Sequence, residues 1–111
     1  MYLDPNSPIP LFQQLHDNIV ADIAHGRIEK GATLRPVRKA AASFGINPAT
    51  VKKAYDLLQQ EGIVETQGRK GTVVIMDGRD DIRKELARLI TKAKAAGLST
   101  ADVRTLLEEL A

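Results

Sequence analysis

The first quarter of the chain carries apolar side chains at a spacing of four residues. The positions that form this stripe are Leu11, Leu15, Ile19 and Ile23. Such a repeat is typical of an amphipathic helix with one buried face. Ser7 is predicted to begin this helix, because the proline that follows it is tolerated in a first turn, and Gly26 is predicted to end it. The opening segment, residues 1–10, contains three prolines and is predicted to form an extended arm.

Two shorter helices are predicted next, separated by a tight turn. The first covers Val37–Phe44 and is ended by Gly45. The second covers Pro48–Glu61 and is ended by Gly62. Asn47 is a favourable N-cap for the second helix. The side chains predicted to face the core from it are Val51, Ala54, Tyr55 and Leu58. Two helices joined in this way form a helix-turn-helix.

After the second of these helices the pattern changes from helix to strand. Ile63–Thr66 and Thr72–Ile75 are short runs rich in β-branched residues, which favour strands. The segment between them, Gln67–Gly71, is a basic tip bracketed by glycines. The runs therefore predict a hairpin. A helix-turn-helix followed by a hairpin is typical of a winged helix-turn-helix domain.

Two further helices are predicted in the remainder of the chain. One starts near Arg79, and the last starts at Ser99, whose hydroxyl can pair with the backbone of Asp102 in a capping box. The expected fold class is α+β and mostly helical. Residues 1–76 are predicted to form a winged helix-turn-helix DNA-binding domain, and residues 77–111 a short two-helix dimerisation tail.

Charge sharpens this prediction, although the net charge is only +2. Residues 27–70 hold nine Lys or Arg against four Asp or Glu, whereas residues 71–111 hold seven of each sign. A basic excess confined to one segment is expected if one surface faces phosphates, although a solvated lysine-rich face produces the same pattern. The side chains predicted to contact DNA are Arg35, Arg38, Lys39, Asn47, Ala49, Thr50, Lys52, Lys53, Arg69 and Lys70.

The roles of these side chains follow from the way a helix end meets DNA. The start of the second helix has a positive dipole and free N–H groups that favour a phosphate, and short side chains there permit close approach to base edges. Asn47, Thr50 and Arg38 are expected to supply base or register information, and the other cations salt-dependent affinity. Arg69 and Lys70, at the hairpin tip, suit the adjacent backbone or minor groove.

On these residues the sequence resembles the GntR family of bacterial regulators. Residues 26–38 are similar to the family's G-x-[LI]-x-x-G-x-x-L-P-S-x-R pattern, and residues 44–55 to its G-V-[NS]-x-x-T-V-x-x-A-Y recognition helix. Residues 61–63 and 71–74 match its E-G-[LI] and G-T-x-V wing. The resemblance covers about residues 8–75. It implies DNA contacts by Arg38, Asn47, Thr50, Lys52, Arg69 and Lys70.

Two segments depart from the family pattern. Leu34-Arg35-Pro36 stands where the family has L-P-S, so the proline is one position later and an arginine is added. Arg69-Lys70-Gly71 stands where the wing has G-R-G. We therefore expect a charged contact by Arg69 in place of close approach by a bare wing backbone.

The short tail resembles that of the YtrA-type subfamily of GntR regulators, in which it serves dimerisation. Only about 35 residues follow the hairpin, whereas most members of the family continue with a longer ligand-binding domain. Two short helices cannot bury both of their apolar stripes against each other, so a second copy is the expected cover, unless the stripes pack on the first helix. The side chains predicted at the dimer interface are Ile82, Leu86, Leu89, Ile90, Val103, Leu106, Leu107 and Leu110.

Other chemistry has little support in the sequence. The chain has no cysteine, and His16 and His25, nine residues apart on one helix, are interpreted as surface residues and not as metal ligands. We see no nucleophile–base pair and no phosphate-binding loop, and we expect no enzyme activity, cofactor or metal. Neither a signal peptide nor an apolar run of about 20 residues is present, so we expect a cytoplasmic protein without a membrane partner.

The favoured hypothesis is a homodimeric repressor that binds a palindromic double-stranded DNA operator. One alternative is an adaptor that binds a partner protein through the helical tail, with the basic surface incidental. The other is a sensor that holds an unknown small-molecule effector in a groove between the first helix and the tail. The sequence does not name the operator, the regulated genes or the effector.

Overall fold

A computed structural model describes residues 2–76 and 78–111. The chain divides into two compact units, Met1–Asp77 and Gly78–Ala111. Helices dominate both units, and one antiparallel hairpin belongs to the first, as the predicted α+β class requires. The elements in chain order are α1 (Leu11–Ala24), α2 (Val37–Phe44), α3 (Pro48–Gln60), β1 (Val64–Thr66), a 3-10 turn (Gly68–Lys70), β2 (Thr72–Val74), α4 (Gly78–Ala95) and α5 (Thr100–Leu110).

The first helix begins later than its sequence predicts. Pro10 is the N-cap of α1, and its carbonyl accepts a hydrogen bond from the amide of Gln14. The hydroxyl of Ser7 instead accepts the amide of Ile9 in a local turn. The prediction that Ser7 starts the helix is therefore wrong. The reason is that a residue preceding a proline avoids the helical region, which applies to Ser7 and to Ile9.

The helix-turn-helix forms as its sequence predicts. α2 ends at Gly45, whose φ of 66° is a left-handed conformation that favours glycine. Asn47 then caps α3, because its side-chain oxygen accepts the amide of Ala49 at 2.8 Å. The turn between the helices is therefore specified at both of its ends by local chemistry.

The core of the first unit is built around α3. Its four buried side chains are Val51, Ala54, Tyr55 and Leu58. They pack with Leu15 and Ile19 of α1 and with Val64 and Val74 of the hairpin. Helix α2 adds Ala40 and Ala41 to the same cluster. Since α3 contacts α1, α2 and β1, its orientation is determined by the whole unit.

The hairpin is joined by a third backbone segment that the sequence did not reveal. β1 pairs antiparallel with β2, with Val64 opposite Val74. On the other side of β2, Thr33 forms an isolated bridge with Val73. The amide of Gly31 donates to the Val74 carbonyl at 2.8 Å, and the amide of Leu34 donates to the Thr72 carbonyl at 2.8 Å. The connector between α1 and α2 is thus bonded to the hairpin.

The second unit contains α4 and α5, which contact each other. The predicted capping box is confirmed: the Ser99 hydroxyl accepts the Asp102 amide at 3.1 Å, and the Asp102 carboxylate accepts the Ser99 amide at 2.9 Å. No residue described in α4 or α5 is buried. Ile90 and Val103 are half-buried, and the other predicted interface residues are exposed: Ile82, Leu86, Leu89, Leu106, Leu107 and Leu110.

His16 differs from its prediction, because it is a buried residue with only 8% of its surface exposed. Its Nδ1 lies 2.8 Å from an oxygen of Asp17, and its Nε2 lies 2.5 Å from an oxygen of Glu61. The interpretation of His16 as a surface residue is therefore wrong, whereas His25 is exposed. Pattern alone failed here because the carboxylate of Glu61, 45 positions away, satisfies a polar ring at the α1–α3 contact.

Candidate nucleic-acid interface

The start of α2 has the features of a phosphate-binding surface. Its N-cap is Pro36, and among the described residues no side chain caps the first-turn amides. Arg38 and Lys39 lie in that first turn, and both are exposed. Uncapped amides at a positive helix end favour an anion, and cationic side chains beside them add to that preference. The predicted residues Arg38 and Lys39 therefore lie beside a helix end that favours an anion.

Arg35 stands directly before this helix and is held by two contacts. Its guanidinium donates a hydrogen bond to the Ser43 hydroxyl at 3.0 Å. Its carbonyl accepts the Tyr55 hydroxyl at 2.8 Å. Burial raises the pKa of the Tyr55 phenol, and the nearby Arg35 charge only partly opposes this, so the hydroxyl stays protonated and donates. Tyr55, a core residue of α3, thus positions Arg35 immediately before the start of α2.

The start of α3 is arranged differently from its prediction. The Ala49 amide donates to the Asn47 side chain, and the Thr50 amide donates to the Asn47 carbonyl at 2.9 Å. Pro48 has no amide hydrogen. The expectation that this helix end has free N–H groups for a phosphate is therefore wrong. Asn47, itself predicted as a DNA contact, accepts hydrogen bonds from these amides. What α3 presents is its side chains: Asn47 and Ala49 are exposed, and Thr50 is half-buried.

The two lysines of α3 are exposed but already have partners. Lys52 Nζ lies 2.8 Å from a carboxylate oxygen of Asp56, one helical turn away. Lys53 Nζ lies 4.0 Å from the centre of the Phe12 ring on α1, a cation–π contact. Both contacts are between exposed or half-buried groups and are weak, so a phosphate can displace them. Asp56 lowers the positive charge of this face of α3. Counting Lys and Arg along the sequence does not show this effect.

The wing tip carries the remaining predicted cations. Arg69 and Lys70 are exposed residues of the 3-10 turn between β1 and β2. The tip closes through hydrogen bonds from the Gln67 amide to the Gly71 carbonyl and from the Lys70 amide to the Gln67 carbonyl. The positive φ of Gly71, 80°, permits this tight return. A defined turn therefore presents both cations to solvent.

Sequence reasoning missed Asp56, Phe12 and Tyr55 as groups that shape this surface. Of these three, only the contact of Asp56 with Lys52 was predictable from the sequence, since a lysine and an aspartate four positions apart meet on one helix face. The Lys53–Phe12 and Tyr55–Arg35 contacts join residues far apart in sequence and have no local signal.

Residues 2–76 and 78–111 contain no group of three or more His, Cys, Asp or Glu side chains placed to hold a metal ion. Over the same ranges, no helix has the length and apolar character needed to cross a membrane.

The first unit combines three features. The amides at the start of α2 are uncapped and flanked by cations, the start of α3 is capped, and the hairpin tip is basic. Together these features define a winged helix-turn-helix DNA-binding protein. Residues 11–74 match the model of the gntR family of bacterial regulatory proteins. The chain belongs to that family. It is a DNA-binding transcriptional regulator and not an enzyme.

Relatives of this chain extend the likeness beyond the DNA-binding unit. The HTH-type transcriptional repressor YtrA of Bacillus subtilis is 30% identical over 97% of this chain and 89% of its own length. The HTH-type transcriptional regulator Rv1152 of Mycobacterium tuberculosis is 33% identical over 90% of this chain and 84% of its own. Among solved structures, YtrA from Sulfolobus acidocaldarius, a GntR-family transcription factor, has a TM-score of 0.69 at 29% identity, covering 99% of this chain and 95% of that one. The predicted resemblance to YtrA-type regulators is thereby confirmed.

Proposed function

We propose that this protein is a homodimeric repressor that acts in the cytoplasm on a palindromic operator. The observation that carries the DNA part of the proposal is a difference between the N-terminal ends of α2 and α3. The amides of the α2 start are uncapped beside Arg38 and Lys39, whereas those of the α3 start are occupied by Asn47. We assign phosphate binding to α2 and the reading of base edges to α3.

The base-reading role rests on the donors and space that remain at α3. Asn47 uses its side-chain oxygen as a cap, so its NH₂ group is the part that can reach a base edge. Ala49 is exposed and small, which lets the helix end approach the groove. Thr50 offers a hydroxyl and a methyl group, and Lys52 and Lys53 supply charge. Arg69 and Lys70 of the wing would contact the flanking backbone or minor groove.

The dimer part of the proposal rests on the second unit. Six large apolar side chains of α4 and α5 are exposed, from 39% for Leu86 to 84% for Leu110. A monomer rarely exposes an apolar surface of this kind. Glu85 and Arg88 line the same surface of α4 as its exposed apolar residues, so a two-fold arrangement can bring a carboxylate of one copy to a cation of the other. We therefore propose a second copy as the occupant, and residues 78–111 as the dimerisation tail.

Repression as the direction of control is supported by the names of relatives. The Bacillus subtilis YtrA protein, which aligns with nearly the whole of this chain, is a transcriptional repressor. Two DNA-binding units in one dimer match two half-sites related by a two-fold axis, which is why we propose a palindromic operator.

The test is an electrophoretic titration of the full chain against fragments of its own genome at two salt concentrations. We expect a few fragments to be retained, with affinity falling about 10³-fold between roughly 50 and 200 mM salt if the dimer neutralises about six phosphates. Retention of no fragment would overturn the proposal and favour the adaptor hypothesis. Retention of all fragments with equal affinity would overturn sequence-specific control.

A further inference from the structure

The first unit contains a cleft of about 800 Å³ between α1, α2 and the connector that joins them. Its floor is formed by core side chains that are almost completely buried, among them Leu15, Ile19 and Ala40. Phe44 and Ile28 add half-buried apolar surface at its sides. Concave sites of a few hundred to a thousand cubic ångströms with mainly apolar walls and a few polar groups are typical of small-molecule sites.

The walls of the cleft are held in place by contacts of their own. The Arg27 side chain donates to the Asp22 carboxylate at 2.8 Å, and the amides of Arg27 and Ile28 donate to the Asp22 carbonyl. On the opposite side, the Tyr55 hydroxyl holds the Arg35 carbonyl at 2.8 Å. The connector is also bonded to β2 through Gly31. The cleft is therefore largely pre-formed, which lowers the entropic cost of binding a ligand.

The charged residues that line the cleft indicate the chemistry of its ligand. Asp22 is paired with Arg27, which leaves Arg35 and Glu29 as the other charged groups. The Arg35 guanidinium has five N–H donors, and its hydrogen bond to Ser43 takes one of them. A guanidinium pairs well with one carboxylate in a two-pronged arrangement. Glu29 disfavours a second anionic group, so a monoanion fits better than a dianion.

We propose that this cleft binds a small amphipathic monocarboxylate and that the ligand weakens operator binding through Arg35. The apolar part of the ligand would lie between the half-buried side chains of Ile28 and Phe44, above the floor, and its carboxylate would pair with Arg35. This inference rests on the proposed function, because it assigns a regulatory ligand to the same DNA-binding unit. The site differs from the groove between first helix and tail that the sequence suggested.

The coupling to DNA follows from the position of Arg35. This residue lines the cleft and also immediately precedes the uncapped start of α2, where Arg38 and Lys39 lie. A carboxylate bound to Arg35 competes with a DNA phosphate for the same guanidinium and adds negative charge beside the other two cations. By thermodynamic linkage, DNA must weaken ligand binding by the same factor as the ligand weakens DNA binding.

The binding test uses ¹H–¹⁵N spectra of the full chain without DNA. The probes are octanoate, phenylacetate and indole-3-acetate, each compared with its primary amide at roughly 5 mM, which detects millimolar dissociation constants. We expect at least one carboxylate to shift the amide signals of cleft residues, and its amide to bind several-fold more weakly. Absence of shifts with all three carboxylates, or equal binding of the amides, would overturn the proposal.

Two variants locate the site. Ala32→Leu fills the cleft from the connector, away from the proposed DNA contacts, and we expect it to abolish the shifts while operator affinity stays unchanged. Ser43→Leu fills it from α2 and gives a second measure of ligand binding if the first variant folds poorly. Persistence of the shifts in a folded filled variant would place the probe elsewhere and overturn the assignment.

The coupling test measures operator affinity with and without the binding probe at constant ionic strength. We expect the dissociation constant for DNA to rise by about five- to twentyfold at saturation, and the ligand to bind the DNA complex more weakly by the same factor. Unchanged operator affinity at saturation would overturn the regulatory part. Because the spectra are recorded without DNA, a failure of the cleft is distinguishable from a failure of the proposed DNA function.

Discussion

His16 on α1 is joined to Glu61, the C-cap of α3, by a side-chain hydrogen bond of 2.5 Å. The other ring nitrogen of His16 lies 2.8 Å from Asp17. Each nitrogen therefore faces a carboxylate, and only the protonated ring donates to both. Burial alone lowers the pKa of His16, but the hydrogen bonds and charges of Asp17 and Glu61 outweigh it, so its pKa lies above its ordinary value of about 6.5.

The first prediction concerns the pH dependence of stability. The pKa of His16 is raised in the folded state. The contribution of His16 to the stability of the fold is therefore fully present below the unfolded pKa, about 6.5, and is lost as pH rises through the folded pKa. We expect the native protein to lose on the order of 1 kcal/mol of unfolding free energy across that interval. Thermal unfolding between roughly pH 5.5 and 9 measures the effect.

The matched variants for this test are His16→Gln and His25→Gln. We expect His16→Gln to remove most of this dependence, whereas His25→Gln, at the exposed C-cap of the same helix, should follow the native protein. A His16→Gln variant with the same pH profile as the native protein would contradict the assignment of the charged link to His16.

A second prediction separates the two tasks of Asn47. Asn47→Ala removes the hydrogen bond to the Ala49 amide, so we expect a loss of about 1 kcal/mol in unfolding free energy and a loss of operator affinity. Asn47→Ser keeps a capping oxygen but lacks the amide donor. We expect it to restore stability and not affinity, as measured by chemical denaturation and by fluorescence anisotropy. Full affinity in the serine variant would show that Asn47 is a cap only.

The third prediction concerns Arg38 at the start of α2. Arg38→Ala removes an exposed cation beside uncapped amides, so we expect operator affinity to fall by about tenfold or more while stability and dimerisation stay unchanged. Arg104→Ala removes an exposed cation from α5 and serves as the control. The role assigned to Arg38 is wrong if its variant shifts the operator as well as the Arg104 variant does.

The fourth prediction addresses the tail. Leu89, 51% exposed, lies in the apolar stripe of α4, so Leu89→Glu should bury a charge at the proposed interface and produce a monomer in sedimentation equilibrium. Operator affinity should fall by about a hundredfold or more, since the two half-sites are no longer linked. Lys84→Glu, roughly 140° around the helix from Leu89, is the control and should remain a dimer. A dimeric Leu89→Glu protein would exclude this face of α4.

Much of the secondary structure was predictable because its signals are local. The bounds of α2, the cap at Asn47 and the capping box at Ser99 each depend on residues within one helical turn. The buried stripe of α3 follows from the helical period in the same way. The start of α1 lies later than its pattern predicts, because a proline restricts the residue before it, and this restriction applies to both Ser7 and Ile9.

By itself, the sequence determined which segments are helical, where the basic side chains lie along the chain and to which family the protein belongs. Only the tertiary structure decided which polar groups are free. Asn47 occupies the α3 amides, Tyr55 holds Arg35, and Glu61 pairs with His16. The last two contacts join residues 20 and 45 positions apart. The periodicity of the sequence indicates which face of a helix or strand is apolar. Which residue of another element contacts a given side chain depends on the packing of the whole core.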